Sequence, residues 1–295
     1  MQDRKYLYES CELCANSCHI DRNKHSARCG SSELKVARAD LHFWEEPVLS
    51  GTNGSGTIFF SGCNLKCVFC QNHNISHERF GKAIDSKRLS DIFRELSDKG
   101  AHNINLVTPT HYTPHIIDAL DIYRPSIPIV YNTGGYDSLE NLKLLNGYID
   151  VYVPDMKYAS SELAYKISGI GDYPLHNQAA IQAMIDQVGS PKIVDGLIKK
   201  GVIIRHLVLP NHIKDSYEVL DIIASKFKDN VLVSIMSQYM PINMESIADL
   251  NRPINKLEYK AVLAHLDKLH IENGFVQELT SSDDKYIPEF NLLGV

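Results

Sequence analysis

Short apolar runs alternate with helix-patterned stretches through most of the chain after residue 56. Each run is brief, rich in apolar or β-branched residues and close to Gly, Pro, Asn or Asp, which is typical of a buried strand. The six predicted strands are 57–61, 103–108, 128–132, 150–154, 202–209 and 231–236. Apolar residues at helical spacing predict helices at 85–99, 138–145, 215–227 and 256–270. This alternation specifies βαβ units, right-handed crossovers and a parallel sheet, so we predict an α/β protein.

The segment 34–50, ahead of the first predicted strand, shows neither the strand period nor the helix period. We predict that it is a connector that packs Phe43 and the only tryptophan, Trp44, on the following domain. Adjacent carboxylates are usually solvated, so Glu45 and Glu46 are expected to be a surface pair.

Residues 158–200 form a longer excursion between the fourth and fifth predicted strands, and part of it has apolar residues at helical spacing. We predict that this excursion caps the open end of the sheet. We predict two parts: a cysteine-rich segment with its connector at 1–50, and a core at 51–295 that includes this excursion.

The charge balance limits the classes of partner. With 36 acidic and 30 basic residues, the net charge is −6. Nucleic-acid binding requires a basic surface, so no nucleic-acid partner is expected. No stretch approaches the roughly 20 apolar residues that cross a bilayer, and the first residues lack an apolar signal core. We therefore expect a cytoplasmic protein with no membrane contact.

Three of the seven cysteines follow the first predicted strand, at Cys63, Cys67 and Cys70. An odd total argues against a complete disulfide framework, and clustered cysteines suggest metal. A four-iron cluster normally takes four cysteines, so three leave one iron open to a small chelating molecule. Zinc is the alternative, because thiolates select either zinc or iron–sulfur.

The other four cysteines lie in a short polar segment and define a possible second metal site. This quartet consists of Cys11, Cys14, Cys18 and Cys29. Four thiolates can close a zinc site or an iron–sulfur cluster, and metal would supply folding energy that so short a segment lacks. Zinc and iron–sulfur both remain open, with unmetallated thiols as the alternative. We expect this site to be separate and dispensable for chemistry at the other three cysteines.

The three-cysteine stretch resembles the radical-SAM motif. The surroundings Phe59-Phe60-Ser61-Gly62-Cys63 and Cys70-Gln71-Asn72, with Phe69 before the last cysteine, are similar to those of the pyruvate formate-lyase activating enzyme. The resemblance implies a six-strand partial (β/α) barrel, a radical-SAM core, behind a small N-terminal Cys-rich segment. It also implies a [4Fe-4S] cluster that binds S-adenosyl-L-methionine at its open iron, through the methionyl amino and carboxylate groups.

In such a barrel the active site lies at the C-terminal ends of the strands. Side chains alternate along 150–157, which places Val151 and Val153 on one side and Asp155 and Lys157 on that side at the strand end. The Asp-x-Lys pattern is similar to that of the activating enzyme, and it implies that Lys157 meets the cofactor carboxylate while Asp155 positions it. A surface ion pair is the alternative.

The fifth predicted strand contains Arg205 and His206, of which at most one faces the lumen. The resemblance favours Arg205 as a fixed cation near the bound carboxylate, with His206 directed toward the helices. An unpaired core arginine is costly, which favours a functional role.

Other strand ends carry polar residues in positions suited to the cofactor. Cofactor contacts are expected from Asn72, Thr108 and Asn132. The chain lacks the Gly-Gly-Glu pattern of most radical-SAM enzymes, and Thr108 with Thr110 is expected to substitute. The pair Gly134-Gly135 is expected to let backbone approach a ligand. His111 and His115 are either a substrate-facing pair or ordinary loop histidines.

Taken with the resemblance, these features predict a radical-SAM enzyme that reductively cleaves S-adenosylmethionine to a 5′-deoxyadenosyl radical for hydrogen abstraction. Glycyl-radical activation of a partner enzyme is one form of this reaction. Modification of a small molecule or peptide is the alternative, and a non-catalytic iron–sulfur electron carrier is the alternative from another class. A low-potential electron donor such as flavodoxin or ferredoxin is expected, with a protein as one candidate substrate.

Overall fold

A computed structural model describes residues 4–279 and 288–295. The strands are β1 Lys35–His42, β2 Ser55–Phe60, β3 Lys82–Ala83, β4 Ile104–Val107, β5 Ile129–Thr133, β6 Val151–Pro154, β7 Lys192–Val194, β8 Leu197–Leu207, β9 Leu232–Met236 and β10 Gly274–Val276. The α-helices are α1 Pro47–Ser50, α2 His73–Ser76, α3 Ser86–Asp98, α4 Thr113–Ile122, α5 Leu139–Leu145, α6 Ser161–Ser168, α7 Tyr173–Val188, α8 Ile213–Lys226 and α9 Lys256–Lys268. Short 3-10 turns cover Arg4–Tyr8, Thr110–Tyr112 and Lys228–Asn230.

The strands form one sheet in the order β10-β9-β8-β6-β5-β4-β2-β1-β3, with β7 paired to β8. All six predicted strands are present, and they pair in parallel as β2-β4-β5-β6-β8-β9. The first and last of these six do not pair with each other, so the barrel is open on one side, as predicted. The short strands β3 and β10 lie at the two ends of the sheet.

Alternation along the strands separates an inner face from an outer face. On the inner face Val130, Val151 and Ile203 pack against Val48 and Leu49, so that α1 closes the N-terminal end of the barrel. The outer face packs against the helices in the main core. His206 faces outward as predicted: Nδ1 lies 2.8 Å from the Met156 carbonyl and Nε2 lies 2.9 Å from Ser216 Oγ on α8.

Polar side chains set the starts of several helices. Asp85 accepts a bond from the Arg88 amide at α3, and Ser138 does the same for α5. Asn255 and Glu258 form a reciprocal capping box at α9. Such caps satisfy amides that have no partner within the helix, and this fixes where each helix begins after its strand.

One prediction about connections is wrong and a second is incomplete. The connector over 34–50 is in large part β1, which pairs antiparallel with β2. The excursion 158–200 is not simply a cap, because α7 carries Met184 and Val188 into the main core against β6 and β8. A parallel β6-to-β8 connection needs a crossover helix on the sheet face, and α7 supplies it.

Candidate functional site

A cavity of about 690 Å³ opens at the C-terminal ends of the parallel strands. Cys63, Cys67 and Cys70 all line it. The six side chains predicted to contact the cofactor line it as well: Asn72, Thr108, Asn132, Asp155, Lys157 and Arg205. Residues far apart in sequence therefore meet at one place, as the strand-end argument expects.

Each sulfur of the three-cysteine loop has a hydrogen-bonding neighbour. The Leu65 amide donates to Cys63 Sγ at 3.4 Å, and Ser76 Oγ donates to Cys70 Sγ at 3.3 Å. Cys67 Sγ lies 3.0 Å from Ser168 Oγ and accepts a longer bond from the Tyr158 hydroxyl at 3.6 Å. Hydrogen bonds to sulfur stabilise thiolate charge and tune the potential of an iron–sulfur cluster.

The number of thiols in this loop suits a four-iron cluster with one open iron, because such a cluster takes one thiolate per iron. Within 4–279 and 288–295, no three Cys, His, Asp or Glu side chains meet at single-ion spacing, either in this loop or in the N-terminal quartet. Burial raises the pKa of the Cys63 thiol and raises that of Cys70 to about 12, so both need a bound cation to become thiolates.

Gly134 lines the cavity, as expected of backbone that approaches a ligand, and both glycines also allow close packing within the protein. A Cβ on Gly134 would lie 2.5 Å from Leu65 Cδ1, inside the cysteine loop. Gly135 has φ +75°, and a Cβ there would lie 2.3 Å from the Asp155 carbonyl oxygen. The two glycines thus let the end of β5 touch both the cysteine loop and the Asp155 backbone.

Asp155 and Lys157 form an ion pair inside the cavity, with Lys157 Nζ 2.5 Å from Asp155 Oδ2. The Lys157 side chain is 18% exposed and the Asp155 side chain is 20% exposed, so the surface-pair alternative is wrong. Burial acts to lower the pKa of Lys157, but Asp155 and Cys67 outweigh it and the pKa is raised. The Tyr173 hydroxyl accepts from the Lys157 amide at 3.1 Å and lies 2.9 Å from the Asp155 carbonyl oxygen. The pair is therefore a charged, positioned group.

Arg205 lines the cavity as predicted, but its charge is not free. Its Nε donates to Glu46 Oε1 at 2.8 Å, and its Nη2 donates to Glu45 Oε2 at 2.5 Å and to Glu46 Oε2. The glutamate side chains are only 8% and 6% exposed, so the expectation of a solvated pair is wrong. The chain turns inward after β1 and carries both carboxylates into the lumen.

The end of β4 behaves differently from expectation. Thr108 has φ +59° and lines the cavity, but Thr110 points away and donates to Asp137 Oδ1 at 2.8 Å. His111 is buried with Nε2 2.9 Å from the Ser61 carbonyl oxygen, and burial lowers its pKa to about 3. His115 contacts the Ser32 carbonyl. Neither histidine lines the cavity, so the substrate-facing interpretation is wrong.

The N-terminal quartet packs directly behind the three-cysteine loop. Asn16 Nδ2 donates to the Asn64 carbonyl at 3.2 Å and to Cys14 Sγ at 3.6 Å. Gly62 has φ +90°, and a Cβ there would lie 2.0 Å from the Cys29 carbonyl oxygen. The segment therefore packs against the loop, while the expectation that the quartet is a separate metal site, dispensable for the cleavage chemistry, stays a prediction.

A buried arginine, Arg22, lies against the quartet and contacts Cys11. Arg22 is 0% exposed, and its Nη1 donates to the His111 carbonyl at 2.7 Å and to Cys11 Sγ at 3.8 Å. Burial acts to lower its pKa, but the surrounding cysteines and Tyr8 outweigh it and the pKa is raised. Three of the four cysteines are buried, and Cys18 is exposed. Metal binding by the quartet stays a prediction.

The sequence did not predict that Trp44, Glu45 and Glu46 line the cavity. Trp44 and the neighbouring Phe43 line the cavity of the following domain, as the predicted packing on that domain allows, and are 54% and 53% exposed. The available signal was the run Phe43-Trp44-Glu45-Glu46, two aromatic residues next to two carboxylates in a segment that shows neither the strand period nor the helix period.

Comparisons with known proteins agree with this architecture. A family model described as Radical SAM superfamily matches residues 57–236. An uncharacterized protein of Methanocaldococcus jannaschii is 32% identical over 279 residues, covering 91% of this chain and 77% of the relative.

Three solved structures are similar in fold. A radical SAM methyltransferase from Sphaerobacter thermophilus has TM-score 0.52 and 12% identity, covering 76% of this chain and 66% of that chain. Methylornithine synthase has TM-score 0.50 and 14% identity, covering 78% and 75%. Streptococcus suis SuiB bound to S-adenosylmethionine has TM-score 0.49 and 15% identity, covering 77% and 48%. The chain thus spans about half to three quarters of these proteins, and at such identities the likeness shows the fold alone.

No helix among the described residues has the length and apolar character needed to cross a membrane.

Proposed function

Because this chain belongs to the radical SAM superfamily, we propose that it cleaves S-adenosylmethionine reductively and uses the resulting radical to take a hydrogen atom from a substrate. The observation that carries the proposal is that Cys63, Cys67 and Cys70 line the same cavity as the Asp155–Lys157 pair. The residues that would hold the cluster therefore lie beside Lys157, a cation that would bind the carboxylate of an amino acid. An electron carrier does not need such a cation.

Family membership implies a [4Fe-4S] cluster and S-adenosylmethionine, and the residues present suit both. When bound and reduced, the cluster supplies the electron that breaks the bond between sulfur and C5′, which gives methionine and the 5′-deoxyadenosyl radical. Cys63, Cys67 and Cys70 would hold it, and their hydrogen-bond donors would stabilise the thiolates.

The other cavity residues would bind and orient the cofactor. Lys157 would donate a charge-assisted hydrogen bond to its carboxylate, with Asp155 holding the ammonium in place. Thr108 and Asn132 line the same end and would supply hydroxyl and amide groups, while Asn72 follows the cysteine loop. The apolar walls would exclude water, which protects a reactive radical.

The source of the electron and the substrate are both part of the proposal. A flavodoxin or ferredoxin would supply the electron, in keeping with a cytoplasmic location.

Glycyl-radical formation on a partner protein is a second candidate, favoured by the exposed Phe43 and Trp44 at the edge of the cavity, since exposed aromatic groups suit a protein surface. Deuterium transfer from a glycine-labelled partner protein to 5′-deoxyadenosine would support it, and a label-free product would contradict it.

The cofactor part of the proposal is tested by electron paramagnetic resonance of anaerobically reconstituted, reduced protein. We expect the cluster signal to change on addition of S-adenosylmethionine, because the cofactor binds the open iron. Cys70→Ala protein, prepared identically, should lose that signal. An unchanged wild-type signal at full iron content would contradict cofactor binding at the cluster.

A further inference from the structure

The four cysteines of the N-terminal quartet take no part in the function proposed above. None of them is in a disulfide, and Cys11, Cys14 and Cys29 are buried while Cys18 is exposed. Cys18 Sγ lies 3.9 Å from the Cys11 carbonyl oxygen, and the Arg22 side chain spans from Cys11 Sγ to the carbonyl of the residue after Cys29. The structure thus gathers thiols that the sequence spreads over two turns of polar chain, and clustered thiols suggest metal.

Arg22 is a buried cation beside these thiols that lacks a counter-ion. Its side chain is 0% exposed. Its donors reach Cys11 Sγ and three backbone carbonyls, those of Gly30, Ser31 and His111. Among the described residues it forms no ion pair with a carboxylate, and a buried charge is costly unless an opposite charge offsets it. Metal bound by four thiolates carries a net negative charge, which neutral thiols lack, so Arg22 favours a metallated quartet.

A second buried donor beside the quartet has no partner. Tyr8 is 0% exposed, and its hydroxyl makes no hydrogen bond within the described part of the chain. The Tyr8 side chain packs against Cys11, and the Arg22 guanidinium lies 4.8 Å from its ring centroid. Burial raises the pKa of the hydroxyl, and the groups whose charge acts on it include Arg22, Cys11 and Cys29, so it faces the quartet. Buried polar atoms are nearly always satisfied, so this donor marks the place of a missing acceptor.

The spacing of the cysteines distinguishes iron–sulfur from zinc. Structural zinc sites typically use two separated pairs of ligands, whereas four-iron sites place three cysteines close together. Here three fall within Cys11-x2-Cys14-x3-Cys18, and Cys29 is remote. The loop at 63–70, which family membership assigns to a four-iron cluster, has the same two intervals in the opposite order. The quartet therefore has the spacing of a cluster motif with a fourth thiolate added.

We propose that the quartet binds a second [4Fe-4S] cluster through all four thiolates, with Arg22 and Tyr8 donating hydrogen bonds to its sulfur atoms. Four thiolates leave no open iron, so this cluster does not bind S-adenosylmethionine. None of the four cysteines lines the cofactor cavity, so the inference goes beyond the proposed function and does not depend on it. Zinc and unmetallated thiols, the alternatives that the sequence leaves open, are outcomes of the test.

Protein in which Cys63, Cys67 and Cys70 are all changed to Ala isolates the quartet. It is purified anaerobically, and iron, acid-labile sulfide and zinc are measured before and after reconstitution with iron and sulfide and removal of unbound metal. We expect about four irons and four sulfides per chain, against about eight of each in wild type, since each four-iron cluster contributes four. Changing Cys11 and Cys14 to Ala as well should remove the remaining iron.

Each other metal content contradicts the proposal. About one zinc per chain that persists through reconstitution, with no iron, would overturn the iron–sulfur assignment in favour of a zinc site. Absence of both metals from the triple variant would overturn metal binding by the quartet. If the triple variant does not fold, wild type decides the case, because about four irons per chain instead of eight would contradict a second cluster.

Tyr8→Phe tests the buried hydroxyl, because it removes the donor and keeps the ring. A hydrogen bond to sulfur stabilises the reduced, more negative cluster, so its loss should shift the midpoint potential of the quartet cluster to a more negative value in the triple variant. Tyr6→Phe is the matched control, since Tyr6 is 56% exposed, and it should leave the potential unchanged. No shift in Tyr8→Phe, or an equal shift in both variants, would refute donation by the Tyr8 hydroxyl.

Discussion

Replacing Lys157 by Met removes the cation that we assign to the carboxylate of S-adenosylmethionine. Lys157 Nζ lies 2.5 Å from Asp155 Oδ2 in a cavity where both side chains are about one fifth exposed. A charge-assisted hydrogen bond contributes about 1.5–3 kcal/mol. The change also leaves Asp155 unpaired, where it would repel the cofactor carboxylate, so we expect the upper part of that range. Affinity should fall by about 100-fold, since each 1.4 kcal/mol is a factor of ten.

The assay is equilibrium dialysis of labelled S-adenosylmethionine against anaerobic protein at equal iron content. Met keeps roughly the length of the Lys157 side chain, and Lys157 is not an iron ligand, so cluster content should not change. Lys166→Met is the matched control, because Lys166 pairs with Asp249 at 2.6 Å outside the cavity and is 44% exposed. Equal cofactor affinity in Lys157→Met and wild type would refute the role of this ammonium.

Three further predictions concern stability and metal content. Gly62→Ala should lower the free energy of unfolding by more than the cost of a positive φ, which is about 1–2 kcal/mol, because its Cβ would lie 2.0 Å from the Cys29 carbonyl oxygen. Gly147 has φ +84° and open space around it, so Gly147→Ala should show the φ cost alone in urea denaturation. Equal losses in the two variants would contradict the contact with Cys29. Cys14→Ala should remove metal from the quartet and, through the packing of that segment, also reduce iron at the other site; unchanged total metal would contradict a quartet site. Burial lowers the pKa of His206 to about 4, below its unfolded value near 6.5, so the unfolded state binds a proton first and stability falls as pH drops from 6.5 toward 4. His206→Gln should reduce that slope by at most about 1.4 kcal/mol per pH unit within this window, and an unchanged slope would contradict the burial effect.

The six central strands were predictable because each contains a short, largely buried run of apolar residues. β1 was not, because its sequence mixes buried residues such as Val36 and Ala37 with partly exposed charged ones and breaks register between Val36 and Arg38. The two- and three-residue edge strands β3 and β10 give no period at all.

The site was predictable where it follows from local geometry. Asp155 and Lys157 continue an alternation that buried valines fix, so their inward direction could be read from sequence. The pairing of Arg205 with Glu45 joins residues 160 positions apart, and no local pattern encodes such a contact. The contact between Gly134 and the cysteine loop was likewise invisible, because it depends on how two loops meet in space.

Formation of 5′-deoxyadenosine tests the central claim most directly. Anaerobically reconstituted protein is reduced chemically and incubated with S-adenosylmethionine, and 5′-deoxyadenosine and methionine are quantified by chromatography against protein in which Cys63, Cys67 and Cys70 are all changed to Ala. We predict that wild type forms both products in equal amounts and that the triple variant forms neither. Absence of both products from fully iron-loaded wild type, or equal yields from the triple variant, would contradict the account.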